Sequence, residues 1–187
     1  MPGFRAGRIS NDLASNKRRR HTQDQIIRKL VVGNTLLAER HGLGIEASEV
    51  TLNQVNTDNP LAMLHLMGIH DTQLSATHLD QLERYVKTGG TVLVETIGGR
   101  GSFAASLGRQ IETRLGVQSQ RAQGGPLLRG RGELGTRIRR AVYRQYTTEL
   151  AGGDTRPRLQ AIELDGRPAV ILSNEDLTLG LMHTTYF

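Results

Sequence analysis

The chain has 187 residues, no cysteine, and a formal charge of +6 with a pI near 10.3. That length suits one domain with a sizeable core. The lack of thiols excludes disulfides, thiolate metal sites and cysteine nucleophiles, and no apolar run approaches the ~20 residues that span a bilayer.

The opening MPGFRAGRIS has no apolar centre, so no secretory signal is expected in it. Residues 1–21 read as a basic, flexible arm with at most a short strand near Phe4–Ile9, and residues 22–187 as a single α/β domain. Lys17-Arg18-Arg19-Arg20 supply four of the six excess charges. The basic residues are 21 Arg against 3 Lys, and aromatic residues for stacking are only 4%. A solvated charge run is therefore favoured over a nucleic-acid surface, which is kept as an alternative.

Thr22 and Gln25 make a capping box for a helix carrying Ile26, Ile27, Leu30, Val31 and Leu37, ending near His41-Gly42. Val50–Val55 alternates like a short strand. Leu61–Ile69 is a near-continuous apolar run, as in a strand covered on both faces. Ser75 caps a helix with Leu79, Leu82 and Val86 facing inward, and Gly89-Gly90 stops it. Thr91–Val94 is a β-branched buried strand. From Ser102 a second helix carries Phe103, Leu107, Ile111 and Leu115 at four-residue spacing.

This alternation predicts parallel βαβ units. Residues 118–158, rich in Gly, Arg and Gln, read as a long irregular excursion. Leu159–Leu164 and Pro168–Leu172 then flank an Asp165-Gly166 turn, as in a C-terminal β-hairpin.

The candidate site is a crevice at the carboxyl edge of the sheet, where open α/β folds place ligands. It is predicted to gather Glu95, Thr96, Gly98, Gly99, Arg100, Gly101, Ser102, His70, Asp71, Glu175 and Asp176. Gly99–Ala104 fits G-x-G-x-x-A after a strand and before a helix, so it suits an anion at free amides or a purely structural turn. No acidic residue follows at ribose-binding distance, which argues against a dinucleotide fold.

His65 and His70 fall on opposite faces of an extended strand, so no metal site is expected. Glu175-Asp176 reads equally as a crevice carboxylate pair or as the start of a helix capped by Asn174 or Ser173. Ser102 lacks the G-x-S-x-G turn and partner histidine of a hydrolase nucleophile.

Three blocks resemble the bacterial family called domain of unknown function 4159: NPLAMLHLMGIHDTQLSATHLDQLERYVKTGGTVLVE, GGRGSFAASLGRQIETRLG and LQAIELDGRPAVILSNEDLTLGL. They span roughly residues 55–182. The resemblance implies a three-layer α/β fold, flavodoxin-like or class I glutamine amidotransferase-like, with a mostly parallel sheet flanked by helices. It further implies a last helix beyond Phe187. Glu95 matches the first member of the family's acidic pair, Thr96 replaces the second, and His70 sits one place late relative to its Gly-His.

The amidotransferase cysteine has no counterpart, since Thr96 or Ile97 stands in that region, so the thiolate route to glutamine hydrolysis is excluded. The expectation is a non-catalytic domain that binds a small ligand, an anion or a protein, with no cofactor and no membrane contact. A hydrolase using His70, Glu95 or Glu175-Asp176 around an activated water is the enzymatic alternative.

Overall fold

The computed structural model describes residues 4–9, 45–55, 62–122, 125–129, 137–141, 143, 148–149 and 152–177. In chain order its elements are β1 (Phe4–Ile9), β2 (Ile45–Glu49), β3 (Met63–Gly68), α1 (Ala76–Lys87), β4 (Thr91–Thr96), α2 (Phe103–Leu115), β5 (Gln120–Arg121), α3 (Pro126–Arg129), β6 (Gln160–Leu164) and β7 (Arg167–Ser173).

The seven strands form one sheet in the order β2-β1-β3-β4-β7-β6-β5. The first five in that order are mutually parallel, while β6 and β5 extend the sheet antiparallel. The β6–β7 connection turns at Asp165-Gly166, both with positive φ. The architecture is α/β, a mixed and mostly parallel sheet flanked by helices. Among the described residues no helix is long and apolar enough to cross a membrane.

Central parallel strands are covered on both faces and so are rich in branched apolar residues. In β4, Val92 and Val94 are fully buried, aligned with Leu64 and Leu66 of β3 and with Val170 and Leu172 of β7. These side chains meet Leu82, Tyr85 and Val86 of α1 and Phe103, Leu107 and Ile111 of α2. A smaller cluster of Ala122, Leu128 and Ala161 seats α3 beside β6.

Ser75 caps α1, its hydroxyl accepting from the His78 amide at 3.2 Å. At the other end of α1 the Arg167 guanidinium donates to the carbonyls of Val86 and Gly90, where a cation favours the helix dipole. On the outer side Arg114 of α2 pairs with Asp80 and Glu83 of α1. Hydrogen bonds from Lys87 and Arg114 hold the Glu83 carboxyl below the ordinary glutamate range.

Two expectations are corrected. The short strand expected near Phe4–Ile9 is present as β1, but it is hydrogen-bonded between β2 and β3 and so does not belong to a flexible arm. Val50–Val55 is not a strand. Residues Leu52–Gln54 form one 3-10 turn, because the Gln54 side chain accepts from the Thr51 amide at 2.8 Å and closes a local cap, and the strand lies earlier, at Ile45–Glu49. The helix expected from Thr22 lies outside the described residues. The excursion 118–158 supplies the edge strand β5 and the short helix α3.

Candidate functional site

Because β3, β4 and β7 are adjacent and parallel, their carboxyl ends bring three connections to one edge: 69–71, 97–102 and 174–176. Contacts within the chain hold them together. The Gly98 amide donates to Asp176 Oδ2 at 2.7 Å, joining positions 78 residues apart. The Ser102 amide donates to the Ile69 carbonyl at 3.1 Å, and a Cβ on Gly101 would lie 1.9 Å from that same oxygen. Gly101 is therefore glycine because two loops of this chain touch there. Gly99 passes over the backbone of residues 174–176.

Thr96 pins the next helix. Its hydroxyl accepts from the Ala104 amide at 3.1 Å, and Ser102, although at the N-cap position, makes no side-chain cap bond. An amide expected to be open to an anion is thus bound by the strand that precedes it. Thr96 and Glu95 are both fully buried, so the part of the crevice predicted for them is closed. Arg100, Gly101 and Ser102 are exposed, as are His70 and Asp71 on the neighbouring turn.

Alternation along β4 sends Glu95 to the face opposite Thr96. Register places it beside Met67 and Ser173, one step along from His65. His65 Nε2 lies 3.4 Å from Glu95 Oε2, with the histidine 14% exposed and the carboxylate 0%. Ser173, also fully buried, accepts from the Glu175 amide at 3.2 Å and donates to the Glu175 carbonyl at 2.8 Å.

The sequence places His65 and His70 on opposite faces of a strand, and in the structure His65 approaches Glu95 instead. The signal was present: MLHLM and TVLVE each place one titratable residue on the same strand face. Among the described residues no three His, Cys, Asp or Glu side chains gather as metal ligands would.

The Glu175 carboxylate reaches Arg158 Nε at 3.4 Å. Burial pushes its pKa above the ordinary glutamate range, with Arg158 opposing the shift. Tyr143 nearby is raised by burial and then by the Glu175 charge, and its hydroxyl donates to the Arg156 carbonyl at 2.7 Å. The structure therefore joins Gly98, Gly99 and Asp176 directly, attaches Glu175 to Ser173, and leaves the His70 and Asp71 side chains in solvent. Chemically, the edge offers exposed polar groups around a self-bonded loop, and below it a half-buried imidazole beside a buried carboxylate.

No family model and no curated protein matches this chain. Among solved structures, the homoserine dehydrogenase of S. aureus, in a crystal structure at pH 7.0, is similar over 62% of this chain at 10% identity and a TM-score of 0.40. The match covers 31% of that enzyme's chain, and so slight a likeness carries no statement about function.

Proposed function

We propose that this chain is a non-catalytic binding domain of flavodoxin-like, class I glutamine amidotransferase-like topology with a C-terminal hairpin, related to domain of unknown function 4159. The parallel strand order β2-β1-β3-β4-β7 supports the topology, since 2-1-3-4-5 is the flavodoxin-like order. One observation carries the functional reading. Where a relative of this topology would carry its nucleophile, Thr96 is fully buried and its hydroxyl is engaged by the Ala104 amide. A nucleophile needs access and an adjacent base, and this hydroxyl has no access. The ligand of such a domain is a small molecule or a protein partner.

The alternative is a hydrolase working through an activated water, and the approach of His65 to Glu95 is the observation that favours it. The test is turnover by the purified protein of glutamine, p-nitrophenyl acetate and p-nitrophenyl phosphate. The expected result is no rate above buffer for any of the three. Steady turnover that disappears in Glu95→Gln or His65→Ala would overturn the proposal in favour of the hydrolase. The nucleic-acid alternative rests on Lys17–Arg20, outside the described residues.

A further inference from the structure

A second place on the molecule collects charge that the sheet edge does not use. Between α3 and the strand-free segments 137–139 and 156–157 lies a hollow of about 220 Å³, with Arg129, Arg137, Arg139 and Arg156 around it and Leu128 and Ile138 in its lining. Among the described residues no acidic one lines it.

Backbone bonds hold its walls. The Ile138 amide donates to the Leu128 carbonyl at 2.8 Å, and the Ala141 amide to the Thr155 carbonyl at 2.7 Å. Asp154 fixes Arg156 through Nε at 2.9 Å and Nη2 at 2.8 Å, leaving the Nη1 side of that guanidinium outside the pair. Among the described residues Arg129, Arg137 and Arg139 have no carboxylate partner.

Guanidinium groups left without counter-charge around one concavity repel each other, and a multivalent anion relieves that repulsion. A phosphoryl group presents three oxygens to planar N–H forks, which arginine matches better than lysine does. Ile138 is 48% exposed beside these cations, so its side chain offers apolar surface at the rim of the hollow. An ion alone would leave it wet; a ligand with a hydrocarbon part would cover it. The hollow is smaller than the several hundred Å³ typical of drug-sized sites, so it suits a headgroup-sized ligand.

We propose that this hollow binds a small organic phosphate, the phosphoryl group held by Arg129, Arg137 and Arg139 and the apolar part laid on Leu128 and Ile138. The inference is independent of the sheet-edge reading, since it uses no residue of loop 97–102.

Calorimetric titration of the whole chain at low salt tests it, with phenyl phosphate, inorganic phosphate, benzoate and a short single-stranded oligonucleotide as probes. Phenyl phosphate should bind saturably and more tightly than inorganic phosphate or benzoate. The double variant Arg137→Ala/Arg139→Ala should weaken it by about tenfold or more. Both arginines are exposed, so an unchanged melting temperature is expected for that variant. Asp176→Asn, at the sheet edge, should leave the affinity as it is.

The proposal is overturned if phenyl phosphate fails to saturate at millimolar concentration, or if the double variant binds it as the parent does. Inorganic phosphate binding equally well would remove the role of Leu128 and Ile138. Tight oligonucleotide binding that phenyl phosphate does not displace would make the patch a nucleic-acid contact and sink the proposal.

Discussion

The two faces of the sheet are built differently from the same three strands. On one, Leu64, Leu66, Val92, Val94, Val170 and Leu172 are 0–6% exposed and lie under α1 and α2. On the other, the alternate positions are His65, Met67, Leu93, Glu95, Ile171 and Ser173, with His65, Leu93 and Ile171 only half-buried. Hydrocarbon fills the first face up to the Thr96 hydroxyl at its carboxyl end, whereas the second holds an imidazole, a carboxylate and a hydroxyl there. A strand's two-residue period separates these roles, so each face can be altered without repacking the other. Among the described residues the large apolar cluster lies on one side and the imidazole–carboxylate pair on the other.

The largest effect should come from truncating the packed face. Leu64→Ala removes a fully buried side chain and is expected to cost about 3 kcal/mol in urea unfolding. Leu93→Ala on the opposite face should cost less than about 1 kcal/mol. Equal losses would break the comparison.

A double-mutant cycle with His65→Ala and Glu95→Gln comes next. A coupling of about 1 kcal/mol is expected from their approach, and additive behaviour would mean that the two groups are merely neighbours.

The smallest effect is at the end of the polar face. The Glu175 carboxyl, raised by burial, holds its proton more tightly folded than unfolded. Its contribution to stability is therefore complete below the unfolded pKa and is lost as pH rises through the higher folded value. Glu175→Gln should melt higher than the parent at neutral pH, with the difference shrinking in acid. A difference that grew in acid would reverse the assignment.

Much of the first face was legible because periodicity and end signals agreed. Ser75, the Leu82–Val86 stripe, Gly89-Gly90 and TVLV all point to the elements that formed. FRAGRI was readable as a short strand but not as an internal one. Its place between β2 and β3 depends on partners distant in sequence. At 51–54 a weak alternation concealed a Thr51–Gln54 cap, and the local hydrogen bond won.

The loop at 97–102 could be located from its glycines, but its partners could not. Asp176 and Ile69 are assigned to Gly98 and Ser102 only by the order of β3, β4 and β7. The arginine hollow was likewise invisible, since composition marked 118–158 as irregular and gave no sign of which guanidiniums converge.

The bond from the Gly98 amide to Asp176 makes that carboxylate a resident competitor. Tethered to the end of β7, it acts at an effective concentration of at least the millimolar order. An outside anion must therefore displace an intramolecular one, and weak buffer anions are screened out before any selectivity is needed. The amide is uncovered once the Asp176 side chain turns away, so access there depends on a residue beyond the last strand as well as on the glycine loop.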